Sequence, residues 1–117
     1  MVKTKGQIEA EIGDAIIKFE KEYLGRGPEE TKTFVLEDLV LVRLRGVLTP
    51  AEKQLAKVDQ EGKGRSLIEK ARVLLDTRVR DITGFGVKSL HTDISTLTGE
   101  RVIIFTLDGK PQFREQP

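Results

Sequence analysis

The amino-acid sequence predicts a small α+β domain, a two-layer sandwich with helices on one face of a mainly antiparallel sheet of three or four strands. In two segments, residues 6–24 and 66–84, apolar side chains recur every three or four positions, as in amphipathic helices. In two others, residues 31–48 and 87–107, they alternate with a period of two, as in strands. Amphipathic helices need a surface to cover, and a sheet has one apolar face to offer. The predicted element order is α-β-α-α-β-β.

Composition bounds the size and class of the protein. The chain of 117 residues suits one domain, predicted to span residues 1–117 with a frayed tail over 108–117. Hydrophobic residues make up 38% and charged residues 33%, as in a globular protein with a highly charged surface. Twenty basic and nineteen acidic side chains give a net charge of +1, so nucleic acid is not an expected partner.

The residue types also restrict location and chemistry. The sequence contains no cysteine, which excludes a disulfide framework, a thiolate zinc site and a cysteine nucleophile. This usage fits a reducing compartment, and we expect a soluble cytoplasmic protein. The longest apolar runs, such as Leu39–Val42, are far shorter than the roughly 20 residues of a membrane helix. Direct insertion into a membrane is therefore not expected.

The first helix is predicted over Gly6–Leu24. Its apolar stripe consists of Ile8, Ile12, Ala15, Ile16, Phe19 and Tyr23. Charged side chains fill most of the remaining surface, as on a helix with one buried face. Gly25 stands where the left-handed residue of a helix C-cap is expected, so the helix ends there.

The segment Thr31–Leu48 has the alternation of a strand. A continuous strand would place Phe34 and Leu36 on the same face as Val40. Asp38 interrupts that face, so either a bulge near residues 37–38 re-phases the strand or two short strands meet there. Because both faces are apolar near the middle of the segment, we expect it to lie centrally in the sheet.

Two capping boxes predict the helices that follow. Thr49–Glu52 combines a capping threonine, a proline at the first helical position and a glutamate at the third. The helix that it opens is short and mostly exposed, and it ends before the glycines at residues 62–64. Ser66–Glu69 opens a longer amphipathic helix that Gly84 ends.

The C-terminal strands form a predicted hairpin over Ser89–Phe105, with Thr96–Gly99 as its loop. The predicted register pairs Ser95 with Glu100, Asp93 with Val102 and His91 with Ile104. Strict alternation places Val87 on the same face as Ser89. That face would carry both polar and apolar side chains and would point away from the helices.

His91, Asp93 and Glu100 form the first candidate site. His91 and Asp93 are two residues apart on a strand, so their side chains share a face. With Glu100 across the turn, they could serve a metal ion or acid–base chemistry. However, a zinc site normally has three or four ligands, and His91 is the only histidine in the sequence. The simpler interpretation is a solvated strand face on which Asp93 bonds backbone groups of the turn.

Arg43, Arg45 and Arg101 form the second candidate site, an RNA- or anion-binding patch. Arg43 and Arg45 share one face of their strand, and Arg101 begins the last strand. Against this interpretation, no aromatic residues alternate with the arginines and no known RNA-binding motif occurs. Acidic side chains near them in sequence or across the hairpin are candidate neutralising partners: Glu37, Asp38 and Glu100.

The chain also resembles a known family over nearly its whole length. The resemblance is strongest in Gly25–Pro28 (GRGP), in Arg43–Glu52 (RLRGVLTPAE) and in His91–Ile94 (HTDI) with Thr98–Glu100 (TGE). These segments are similar to those of the bacterial MpsC-type domain. That family is named for a proposed sodium-translocating system that generates membrane potential. It has no established catalytic residues, so the resemblance assigns no chemical role to a numbered position.

The sequence and the resemblance together give three functional hypotheses. The first is a non-catalytic accessory or regulatory protein, without cofactors, that contacts a membrane transport complex. The second is a metal-binding protein or enzyme centred on His91, Asp93 and Glu100. The third is an RNA- or anion-binding module that uses the three arginines. We expect a homodimer, because an open sheet has free edges and its outer face is partly apolar.

Overall fold

A computed structural model describes residues 3–25, 27–47 and 72–114. These residues form helices α1 (Lys5–Leu24) and α2 (Arg72–Thr83) and strands β1 (Glu30–Leu36), β2 (Leu39–Arg45), β3 (Val87–Ile94) and β4 (Arg101–Leu107). The predicted α+β class is confirmed, and the described elements follow the order α-β-β-α-β-β. The predicted helix starts at Thr49–Glu52 and Ser66–Glu69 lie outside the described residues.

The strands form a four-stranded antiparallel sheet in the order β1-β2-β4-β3. Strand β2 pairs with β1 on one side and with β4 on the other. The central position that we predicted for the segment Thr31–Leu48 is therefore confirmed for β2, whereas β1 lies at an edge of the sheet. Val40, Val42 and Leu44 are completely buried on the face of β2 that meets the helices.

Strands β1 and β2 are two short strands joined by a two-residue turn, Glu37–Asp38. Val35 pairs with Val40 and both are buried, whereas Phe34 and Leu36 lie on the opposite face and are exposed. Of the two alternatives that the sequence left open, two short strands are found, and the continuous strand that would place Phe34 and Leu36 on the face of Val40 is not. The chain reverses at the turn, and the resulting register sets the faces by cross-strand pairing instead of by continuous alternation.

The β3–β4 hairpin has the predicted register. Asp93 pairs with Val102 and His91 with Ile104. The loop is closed by a hydrogen bond from Ser95 N to Glu100 O of 2.8 Å. One feature differs at the start of β3. The register shifts between Val87 and Ser89, so that Val87 pairs with Leu107 and packs against the core instead of sharing the face of Ser89. A local bulge of this kind reverses the alternation that the sequence predicts.

The core lies between the helices and the inner face of the sheet. Helix α1 contributes Ile8, Ile12, Ile16 and Phe19 of the predicted stripe, and α2 contributes Leu75, Val79 and Ile82. The sheet contributes Val35, Val40, Val42, Leu44, Ile103, Phe105 and Leu107. Burial of each large aliphatic side chain stabilises the fold by about 1.5–3 kcal/mol, so this shared layer holds both helices on one face.

The helix ends agree with the predicted glycine caps. Gly25 after α1 and Gly84 after α2 both have φ of 85°, a left-handed conformation that glycine adopts without strain. At the other end of α1, the Thr4 hydroxyl accepts a hydrogen bond from Gln7 N, and the Gln7 side chain accepts one from Thr4 N. This reciprocal capping box fixes the start of the helix beside the end of the chain.

The segment 108–114 makes specific contacts, which differs from the frayed tail that we expected there. Pro111 is buried, and Arg114 N donates a hydrogen bond of 2.9 Å to Lys3 O. A short parallel bridge joins Arg114 to Thr4 at the start of α1. Gly86 N also donates to Asp108 Oδ1 at 3.2 Å. The segment therefore joins the two ends of the described fold.

Candidate functional site

The face of the sheet that points away from the helices, here called the outer face, brings together most of the predicted site residues. The strand register and alternation define its members. They are Glu30, Lys32, Phe34, Leu36, Leu39, Leu41, Arg43, Arg45, Ser89, His91, Asp93, Val102, Ile104 and Thr106. Glu100, just before β4, joins them through its contacts with arginines of β2.

One half of the outer face is an apolar patch, which consists of Phe34, Leu36, Leu39, Leu41 and Ile104. Phe34 is 41% exposed, Leu36 51% and Leu39 36%. Single exposed apolar residues are common on proteins, but a contiguous group across three strands is characteristic of a contact surface. The partly apolar outer face that the sequence predicts is therefore present.

The other half carries a charged cluster, which consists of Glu30, Arg43, Arg45 and Glu100. Arg43 Nε donates to Glu100 Oε2 at 2.8 Å, and its Nη2 lies 2.7 Å from the same oxygen. Arg45 lies 3.8 Å from Glu100 and 3.7 Å from Glu30. The structure thus brings Arg43 and Arg45 together and places an acidic partner between them, so that their charges are largely neutralised.

Arg101 lies elsewhere. It points to the inner face of the sheet, where its Nε is 3.9 Å from Glu20 Oε1 on α1. Both side chains are almost completely buried, with 4% and 2% of their surface exposed. The three arginines of the predicted anion site therefore do not form one patch. Alternation along β4 places Arg101 on the inner face with Ile103, whereas Glu100 lies on the outer face beside the other two arginines.

Electrostatics at this buried pair are dominated by the loss of solvent. Burial raises the pKa of Glu20, and the nearby Arg101 charge only partly opposes the rise. Burial likewise lowers the pKa of Arg101, with Glu20 and then Asp93 acting in the other direction. Among the residues that the structure describes, Glu20 Oε1 and Arg101 Nε and Nη1 have no hydrogen-bond partner. These three atoms of the ion pair therefore lack the hydrogen bonds that usually accompany buried charges.

This pair was not predicted from the sequence, although both residues are in step with the apolar positions of their elements. Arg101 is two and four residues before Ile103 and Phe105, both of which are buried. Glu20 follows Ile16 by one helical turn of four residues on the apolar stripe of α1. A charged residue in phase with core residues on each of two elements is the signal that would have identified it.

His91 and Asp93 lie on edge strand β3 and are exposed on the outer face. The His91 Nε2 atom is 3.2 Å from Ser89 Oγ, and Ser89 Oγ also contacts Thr106 Oγ1. Among residues 3–25, 27–47 and 72–114, no three histidine or acidic side chains lie close enough together to hold a metal ion. The arrangement at His91 is a polar hydrogen-bonded row along the edge of the sheet.

A groove of about 350 Å³ runs between α1 and β1. It is lined by Glu9, Ala10, Gly13, Asp14, Ile17, Thr31, Lys32, Thr33 and Phe34. The hydroxyls of Thr31 and Thr33 are buried and have no hydrogen-bond partner in the described part of the chain, while Glu9 accepts a hydrogen bond of 2.8 Å from Val35 N. The groove was not predicted, since its residues come together only through packing of the helix on the edge strand.

Helices α1 and α2 are both too short or too polar to cross a membrane, and this holds for the helical residues that the structure describes. The fold and the outer face define a small α+β protein with an apolar patch beside a neutralised charged cluster. The chain belongs to the MpsC family. The family model described as "Na+-translocating membrane potential-generating system (MpsC)" matches residues 4–109, which confirms the resemblance seen in the sequence.

Two curated proteins of Bacillus subtilis (strain 168) are similar to this chain. "Uncharacterized protein YbcI" is 46% identical over 113 residues, which cover 92% of this chain and 90% of YbcI. "Uncharacterized protein YrhF" is 28% identical over 109 residues, which cover 86% of this chain and 87% of YrhF. No solved structure matches the chain. The relatives thus support the family and the extent of the match.

Proposed function

We propose that this protein is a non-catalytic accessory or regulatory component of a cation-translocating system that generates membrane potential. The observation that carries the proposal is the family match over residues 4–109, since the description of that family names such a system. In this proposal the protein acts in the cytoplasm through protein contacts. Passage of the ion itself belongs to other components of the system.

The composition of the outer face supports a role in protein contacts. Protein interfaces combine a central apolar area with a polar rim, and the apolar patch borders polar and charged side chains. The polar groups nearby are engaged with one another: Arg43 with Glu100, and His91 with Ser89. Groups arranged in this way favour a recognition surface over a reaction centre.

The proposal is tested by deleting the gene from the organism that encodes it. Membrane potential is then followed with a voltage-sensitive dye at low and high sodium concentration. We expect a lower potential in the deletion strain and recovery when the wild-type gene is returned. We expect little recovery with Phe34→Asp, which places a charge in the apolar patch, although the variant protein accumulates normally.

The matched control is Lys18→Glu, which changes an exposed charge on α1 in the helix layer. It should restore the potential as well as the wild type does. If the deletion strain keeps its normal potential at every sodium concentration, the proposed function is wrong. If Phe34→Asp restores the potential fully, the function does not use the apolar patch.

A further inference from the structure

We propose that the outer face binds a second copy of this chain, packed face to face about a two-fold axis that runs parallel to the strands between β2 and β4. The inference goes beyond the proposed function and does not depend on it. It rests on the charge pattern of the outer face, which complements the same face turned through half a rotation.

The charges of the outer face are balanced. They consist of three basic side chains, Lys32, Arg43 and Arg45, and three acidic ones, Glu30, Asp93 and Glu100. A surface with equal numbers of each sign does not attract a strongly charged partner such as nucleic acid. It suits a partner whose charges are balanced in the same way and arranged in the opposite order.

The order of the strands supplies that arrangement. One cross-strand row of the outer face runs Lys32, Arg43, Val102, Asp93, from β1 to β3. It is therefore basic at one edge of the sheet and acidic at the other. A two-fold axis parallel to the strands lays β1 on β3 of the second copy at the same level. Lys32 then faces Asp93 of the second copy, and the contact occurs twice.

The neighbouring rows agree with the same axis. In the next row, Leu41 meets Ile104 of the second copy at the centre, and Phe34 meets His91 of the second copy at the edge. In the row on the other side, Arg45 meets Glu100 of the second copy. A two-fold axis running across the strands would instead place Arg45 over Leu39 and Arg43 over Leu41, which costs more free energy than the single such contact of the first axis, Arg43 over Val102.

The size of the face predicts a weak dimer. Four strands of seven or eight residues cover roughly 20 by 23 Å, given strand spacings of about 4.8 Å and a rise of about 3.3 Å. The flat area of the face, about 460 Å², is below the roughly 800 Å² that a standard interface buries on each partner, which places this interface among the small, weak ones. Two such sheets would pack about 10 Å apart, and we expect a dissociation constant of about micromolar order.

Lys32 and Asp93 make the test specific because they cannot pair within one chain. They lie at opposite edges of the sheet, three strand spacings or about 14 Å apart. Each reversed charge alone, Lys32→Glu or Asp93→Lys, should produce two like-charge contacts and weaken the dimer at least tenfold. The double variant Lys32→Glu/Asp93→Lys restores both contacts and should dimerise as the wild type does.

An equimolar mixture of the two single variants provides a second readout. Each variant alone should show a dissociation constant at least tenfold above that of the wild type, and the mixture should form a heterodimer as tight as the wild-type dimer, because every reversed charge then meets its opposite. Sedimentation velocity at concentrations up to about 100 μM measures all of these species. Lys18→Glu and Asp81→Lys, on exposed positions of the helix layer, are matched controls and should leave the dimer unchanged.

Several outcomes would overturn the inference. A wild-type protein that remains monomeric at about 100 μM has no second copy on this face at relevant strength. A dimer whose dissociation constant is unchanged by both single reversals, or a double variant that dimerises as weakly as the single variants with a native circular dichroism spectrum, would place the interface elsewhere. Binding of the wild-type monomer to anionic vesicles, lost in Phe34→Asp, would assign the face to a membrane surface.

Discussion

Glu20 and Arg101 show that a residue's position in the apolar repeat of its helix or strand decides whether it is buried. Each occupies a core position of its element, and the two charges meet between α1 and β4 without a hydrogen bond. Glu100, the residue before Arg101, and Arg43 on the neighbouring strand β2 are half-exposed and form a hydrogen-bonded pair. An exposed pair contributes about 0–1 kcal/mol, whereas a buried pair balances a large desolvation penalty against its attraction.

The pKa of Glu20 gives a prediction about pH. Because burial raises this pKa above its ordinary value of 4.5, the folded protein holds the proton more tightly than the unfolded chain does. Stability from Glu20 is therefore full below pH 4.5 and is lost as the pH rises through the folded pKa. Glu20→Gln cannot ionise, so its free energy of unfolding should increase relative to that of the wild type from pH 4 towards pH 8.

Urea unfolding at several pH values measures this difference. Glu22→Gln, which removes an exposed carboxylate from the same helix, reports the general effect of the charge change. A difference between Glu20→Gln and the wild type that is constant with pH, or that decreases as the pH rises, would contradict the assigned direction of the shift.

For individual residues, the sequence predicts the sheet face of a side chain better than it predicts the residue that the side chain contacts. His91 and Asp93 share the outer face as expected, since alternation along a strand is a local property. The partner of Arg101 comes from a helix 81 positions earlier in the sequence, and no local pattern encodes that contact. Glu100 was predicted to neutralise an arginine, and the register of β2 against β4 places it beside Arg43.

At the element scale, turns and bulges decide which side chains reach the outer face. The β1–β2 turn places Glu37 at φ 58°, the only non-glycine residue with positive φ in the described part of the chain. Left-handed backbone is unfavourable for side chains other than asparagine, aspartate and glycine. The turn exists because the hairpin register buries Val35 and Val40 together, which outweighs the local strain.

Relief of that strain is a prediction for the element. Glu37→Asn should increase the free energy of unfolding by about 1 kcal/mol, because asparagine tolerates the left-handed region. Thermal or urea denaturation measures the change. Glu37→Gln is the matched control: it also removes the carboxylate that pairs with Lys110 at 3.0 Å, but it keeps the unfavourable conformation. Equal stability of the two variants would show that the turn is not strained.

The sequence did not decide between a bulge and two short strands at this turn, for a physical reason. A two-residue hairpin turn is usually signalled by asparagine or glycine, and neither Glu37 nor Asp38 is one of these residues. The bulge at the start of β3 was not predicted at all, since Val87–Ser89 alternates normally and only the pairing with β4 reveals the shift. The β3–β4 loop was predicted correctly because Gly99, with φ of 77°, supplies the expected conformation.

At the scale of the whole molecule, the fold class followed from periodicity and from the need of each amphipathic element to bury one face. Both helices cover the inner face of the sheet, as predicted, and the outer face stays open with its apolar patch exposed. Composition could not predict which charges meet on that face, because the row from Lys32 to Asp93 exists only in the strand order β1-β2-β4-β3. Topology therefore creates the pattern on which the proposed dimer depends.

Site-specific photo-crosslinking in the cells that express the protein is the most direct test of whether the outer face binds a second copy. A photoreactive amino acid at position 34, in the apolar patch, should yield a species of twice the 13.1 kDa mass of the chain. The same amino acid at position 18, on the exposed side of α1, should yield none. Position 34 giving no such species, or both positions giving it equally, would contradict the claim that the outer face binds a second copy.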